Sequence, residues 1–111
     1  MTRYCTIYVT APDMDEAELL ASTLLNEHLI ACANILPGMT SLYRWQGEVN
    51  CDSEVAILMK TRAVLAEAVT ERVRQLHSYD CPCVTVWPIE GGNAEYLNWI
   101  KAETEGGDVL A

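Results

Sequence analysis

Val55-Ala56-Ile57-Leu58-Met59 is apolar at five consecutive positions in a chain of 111 residues. A strand with one wet face would alternate, and a run this short is far below the roughly 20 apolar residues of a membrane helix. The run therefore reads as a strand buried on both faces, and the fold must cover both sides of a sheet. Half of the residues are hydrophobic, enough for one packed domain over residues 1–111.

The flanking segments supply the layers. Tyr4 to Thr10 sets Cys5, Ile7 and Val9 against Tyr4, Thr6, Tyr8 and Thr10, a strand whose second face is polar-aromatic rather than charged. Ala11-Pro12 breaks it, and Asp13 with Glu16 three residues on opens a helix predicted from about Met14 to Leu29. Ala17, Leu20, Ala21 and Leu24 form its buried stripe, and His28 at its end favours the helix dipole or bonds the last carbonyls. Cys32 to Leu36 reads as a strand, Pro37-Gly38 as a bend or bulge, Met39 to Gln46 as its continuation, and Gln46-Gly47 as a turn into Glu48 to Lys60. Thr61 caps a second helix, about Ala63 to His77, with Leu65, Val69 and Leu76 along one side. Val84 to Ile89 is a fourth strand whose Pro88 belongs at a sheet edge, and Gly91-Gly92-Asn93 opens a short helix through Tyr96, Leu97 and Ile100. The acidic tail from Glu103 reads as loose.

Strand, helix, strand, strand, helix, strand and a terminal helix make the split βαβ order of an α+β, ferredoxin-like sandwich. Both crossover helices then pack on one sheet face, and the other face, apolar or aromatic here, is left open. Bare faces and long edge strands attract neighbours, so the expectation is a closed oligomer built by the Cys32 to Met59 hairpin.

A formal charge of −9 with only seven Lys and Arg argues against nucleic acid and makes cations the easier partners. With no basic, apolar and small-residue leader and no membrane-length run, the expectation is a soluble cytoplasmic protein without membrane partners. The five cysteines, an odd number with no Cys-x-x-Cys pair, read as buried apolar thiols rather than a disulfide framework.

His77-Ser78-Tyr79-Asp80-Cys81-Pro82-Cys83 concentrates an imidazole, a phenol, a carboxylate and two thiols in seven residues. His77, Cys81 and Cys83 are candidate ligands for a soft metal such as Cu(I) or Zn(II), although three protein donors leave a structural zinc shell incomplete. On the alternative reading Pro82 positions the fourth strand and the thiols fill small apolar pockets. Tyr43, Trp45, Lys60, Thr61, Tyr79 and Trp99 are candidate walls of a small-molecule cleft between protomers. No nucleophile, base and orienting group assemble from the sequence, so no enzyme and no obligatory cofactor are expected.

Several spaced motifs then resemble one family. Thr10-Ala11-Pro12-Asp13, Leu29 to Gly38, Ser41-x-Tyr43-x-Trp45-x-Gly47, Lys60-Thr61, His77-x-Tyr79, Pro88-Ile89 and Tyr96-Leu97-x-Trp99-Ile100 are similar to the CutA divalent-cation tolerance proteins from about Tyr4 to Ile100. The resemblance implies a ferredoxin-like homotrimer linked to tolerance of copper and other divalent metal ions, with His77 as the residue matching a copper association. It departs from the family at Cys83, where the motif usually carries a carboxylate. The resemblance also implies an architecture like that of the PII-type signal proteins. The alternative function is accordingly a PII-like signalling or interaction module binding a small anion or metabolite in the cleft.

Overall fold

In the computed structural model, which describes residues 2–109, the order is β1 (Tyr4–Ala11), α1 (Met14–Asn26), β2 (Cys32–Trp45), β3 (Glu48–Arg62), α2 (Ala66–Leu76), β4 (Val84–Ile89) and α3 (Ala94–Thr104). The four strands form one antiparallel sheet in the order β2-β3-β1-β4, the ferredoxin-like arrangement. Period-2 alternation decides its faces. Cys5, Ile7 and Val9 of β1 and Ile57 and Met59 of β3 pack with Leu20 and Leu24 of α1 and Val69 and Val73 of α2 in the core. Val55, Ala56, Ile57 and Met59 are buried and Leu58 is half-buried, so the apolar run is covered on both sides.

Glu48 to Glu54 pairs only with β2, because β1 ends where Ala11 meets Val55. The hairpin thus extends beyond the sheet as an arm. Its turn is Gln46-Gly47, both at positive φ (50° and 83°), the backbone a two-residue hairpin needs to match strand twist. A register shift between Leu36 and Met39 places the predicted bulge at Pro37-Gly38, where Gly38 takes φ 81°.

Five expectations are corrected. First, α1 stops at Asn26 rather than Leu29, since His28 turns the chain at φ 59° and sends Leu29 and Ile30 into the core. Its ring Nδ1 lies 3.2 Å from the Glu103 carbonyl of α3, not against its own helix. Second, Thr61 caps nothing: it is buried on the helix-facing side and its hydroxyl donates to the Leu29 carbonyl at 2.7 Å, while α2 is entered through a 3-10 turn at Ala63–Leu65. Third, Val73 joins Leu65 and Val69 on the buried side of α2, with Leu76 half-buried against the same core.

Fourth, the segment after Glu103 is docked. Arg62 donates from Nε to Thr104 Oγ1 at 3.0 Å and from Nη2 to the Thr104 carbonyl at 2.9 Å. Beyond it a 3-10 turn, Glu105–Val109, brings Gly107 so close to His28 that a Cβ there would overlap the His28 carbonyl. Residues 110 and 111 of the expected loose tail lie outside the described residues. Fifth, the expectation of buried thiols is met at Cys5 and not at Cys51, on the arm, or at Cys81 and Cys83, after α2, which are exposed. Arg62 and Cys32 stand on the open face, and α3 covers that end of it, Cys32 Sγ lying 3.4 Å from the Tyr96 hydroxyl.

Candidate functional site

The other end of the open face is a groove of about 690 Å³ between the arm and the loop that follows α2. The loop is fixed from below. Asp13 accepts from the Glu16 backbone N–H at 2.8 Å, starting α1, but the Glu16 side chain reaches away, accepting from the Ser78 N–H at 3.0 Å and its hydroxyl at 2.9 Å. His77, the residue after α2, has a side chain shut off from solvent. Its Nε2–H donates to the Thr10 carbonyl at 2.7 Å and its Nδ1 accepts from the Tyr79 N–H at 3.0 Å. The Glu16 carboxylate also lies 3.2 Å from Nδ1. With both ring nitrogens engaged, the imidazole orients the loop and offers no spare lone pair to a metal.

Tyr79, tilted over that ring at a centroid distance of 4.6 Å, carries the order outward: its hydroxyl donates to Glu54 on β3 at 2.8 Å. Burial, then the Glu54 carboxylate, raise the Tyr79 phenol well above its usual range, so it stays protonated and remains a donor. Tyr43 makes the parallel bond on the arm, donating to Asp52. Cys83 is raised by burial and by the charge of Glu54, partly offset by a bond with Thr10, so it is no activated nucleophile.

Five of the expected site residues meet here: Tyr43, Trp45, Tyr79, Cys81 and Cys83 all line the groove. His77 lies beneath it. The other cleft candidates lie elsewhere. Lys60 bonds Asn34 at 3.1 Å, Thr61 is buried on the opposite side of the sheet, and Trp99 stacks on Tyr96 at 5.6 Å on α3. Among the described residues no three His, Cys, Asp or Glu side chains are grouped to hold a metal ion, so His77, Cys81 and Cys83 are not a ligand set within one chain.

Glu54, Glu16 and Tyr8 are the site residues that the sequence reading missed. Glu54 was findable: it shares the parity of Ala56 and Leu58 on β3, which places a carboxylate on the open face just where the apolar run begins. Glu16 gave only its helix-start signal, and its reach to Ser78 depends on tertiary packing.

Known proteins match this architecture along most of its length. The profile of the CutA1 divalent ion tolerance protein family matches residues 5–103. A chloroplastic CutA 1 of Oryza sativa subsp. japonica is 45% identical over 98 residues, 88% of this chain and 55% of that protein, so the chain spans about half of its plant relative. The divalent-cation tolerance protein CutA of Thermus thermophilus is 44% identical over 98 residues, 88% of this chain and 95% of that one. The crystal structure of CutA from Xylella fastidiosa superimposes with a TM-score of 0.91 at 38% identity, covering 94% of this chain and all (100%) of that one. Sequence and fold agree, and the chain belongs to the CutA1 divalent ion tolerance protein family.

Proposed function

We propose that this chain is a cytoplasmic, homotrimeric, non-catalytic protein of divalent metal ion tolerance that takes up a cation weakly in the groove beneath the arm, copper being the leading candidate. The observation that carries the reading is the lining of the groove: Glu54, Asp80, Cys81 and Cys83 are there, and none of the described lining residues is Lys, Arg or His. A metal or another cation meets charge and soft donors, whereas the small anion of the alternative reading meets no counter-charge.

The described residues of one protomer do not complete a metal shell. Cys81 and Cys83 are the donors such an ion would meet, His77 holds their loop, and a neighbouring protomer or water would supply the rest. Trimer formation is supported by Leu42 and Val49, apolar side chains left exposed on the arm, and by the outer edges of β2 and β4.

The test is titration of Cu(I) into the reduced protein and into Cys81→Ser, Cys83→Ser and His77→Ala variants. Loss of affinity in both thiol variants supports the reading. Equal affinity in all four proteins removes these residues from the site.

A further inference from the structure

We propose that the same groove binds a small organic ammonium ion, a ligand class independent of the metal reading. Three features of the groove converge on that chemistry. The rings of Tyr8, Tyr43, Trp45 and Tyr79 line it, and a cation over the face of an aromatic ring is held by the ring's quadrupole. Two carboxylates, Glu54 and Asp80, share the lining with no basic residue among the described ones, so the charge of such a ligand is complemented rather than opposed.

The third feature is pre-organisation. The Tyr79 and Tyr43 hydroxyls each donate to a carboxylate, Glu54 and Asp52, which fixes the rings and pushes electron density into their faces. Tyr8 stacks on Trp87 at 5.2 Å with planes 14° apart, a rigid floor beneath the groove. A volume of about 690 Å³ lies within the usual range for small-molecule sites and exceeds what a bare metal ion needs. An ammonium bearing methyl groups uses both halves of this surface, because its methyls pack on the rings while its charge faces Glu54. A hydrated inorganic ion uses only the carboxylates.

The probe is choline, titrated by calorimetry into the reduced, full-length protein in buffer with excess chelator, against 3,3-dimethylbutanol, its neutral isostere. We expect choline to bind with a Kd of about 1 mM or tighter and the isostere at least about tenfold more weakly. Trp45→Leu should weaken choline about tenfold, and Glu54→Gln about threefold to tenfold, with a smaller salt dependence. Tyr79→Phe, which keeps the ring and loses its bond to Glu54, should fall between wild type and Glu54→Gln. Equal binding of choline and its isostere overturns the proposal, as does choline binding unmoved by both Trp45→Leu and Glu54→Gln, or no saturation by about 20 mM. Because the chelator removes metal, failure here leaves the Cu(I) titration to stand or fall alone.

Discussion

The two ends of the sheet's open face are built from the same strands and finished in opposite ways. At the Tyr4 end, α3 lies across the face and its polar groups are paired inward: Arg62 holds Thr104 twice, and Cys32 meets Tyr96, whose phenol is pushed up to about 12 chiefly by that bond. At the Thr10 end no helix among the described residues lies across the face, and the paired groups, Tyr79 with Glu54 and Tyr43 with Asp52, stand at the rim of a groove. Bonds at the first end close a structure, while bonds at the second hold a surface ready. The C-terminal helix is therefore a lid on half the sheet, and the other half is the one left with a groove.

The largest effects should separate folding from assembly. Val55 is buried against the helices and pairs with Ala11, so Val55→Asp buries an unpaired charge and should unfold the protomer, costing more than about 4 kcal/mol. Leu42 stands 71% exposed on the arm. Leu42→Lys should keep the far-UV circular dichroism spectrum and reduce the sedimenting mass to that of a monomer. A folded, assembled Val55→Asp protein, or an unchanged mass for Leu42→Lys, breaks the division between core and arm.

Removing one bond at each end comes next. Arg62→Ala strips two hydrogen bonds from Thr104, whose residue is fully buried, and should lower urea stability by about 1–3 kcal/mol. Tyr79→Phe removes a single bond at a half-open rim and should cost about 0.5–1.5 kcal/mol. If Tyr79→Phe proves the more damaging, the groove end is a structural brace after all.

Most of the fold was legible because it rests on local patterns. The alternation in Tyr4 to Thr10, the two-faced run Val55 to Met59 and the turn at Gln46-Gly47 each specify their own geometry, and together they fix the sheet. The helix boundaries were less legible. Thr61 looks like a helix cap in sequence, yet strand parity aims it into the core, where Leu29 offers a carbonyl. The tail looked loose because its anchors, Arg62 and His28, lie far from it in the chain. At the site, the seven residues from His77 to Cys83 were visible as a cluster, but their division of labour was not. His77 reads as a ligand until Thr10 and Tyr79 are seen to occupy both of its nitrogens.

The smallest effect tests whether the two faces differ electrically as well as sterically. Cys5 on the helix-covered face is raised to about 11 from an ordinary 9.0 by burial alone, whereas Cys83 on the open face is raised by burial and by Glu54. In the unfolded chain Cys5 loses its proton near pH 9, while in the folded chain it keeps it to about pH 11. Its contribution to stability is therefore complete below pH 9 and lost as pH rises through 11. Urea midpoints measured across that window should fall in wild type and fall less steeply in Cys5→Ala. Glu54→Gln should also flatten that fall, because Glu54 helps to raise Tyr79 and Cys83, and should speed alkylation of Cys83 by a few-fold near pH 8, whereas burial alone raises Cys5. A Cys83 rate indifferent to Glu54 would mean that solvent screens the groove, and its carboxylates would then be too weak to select a cation.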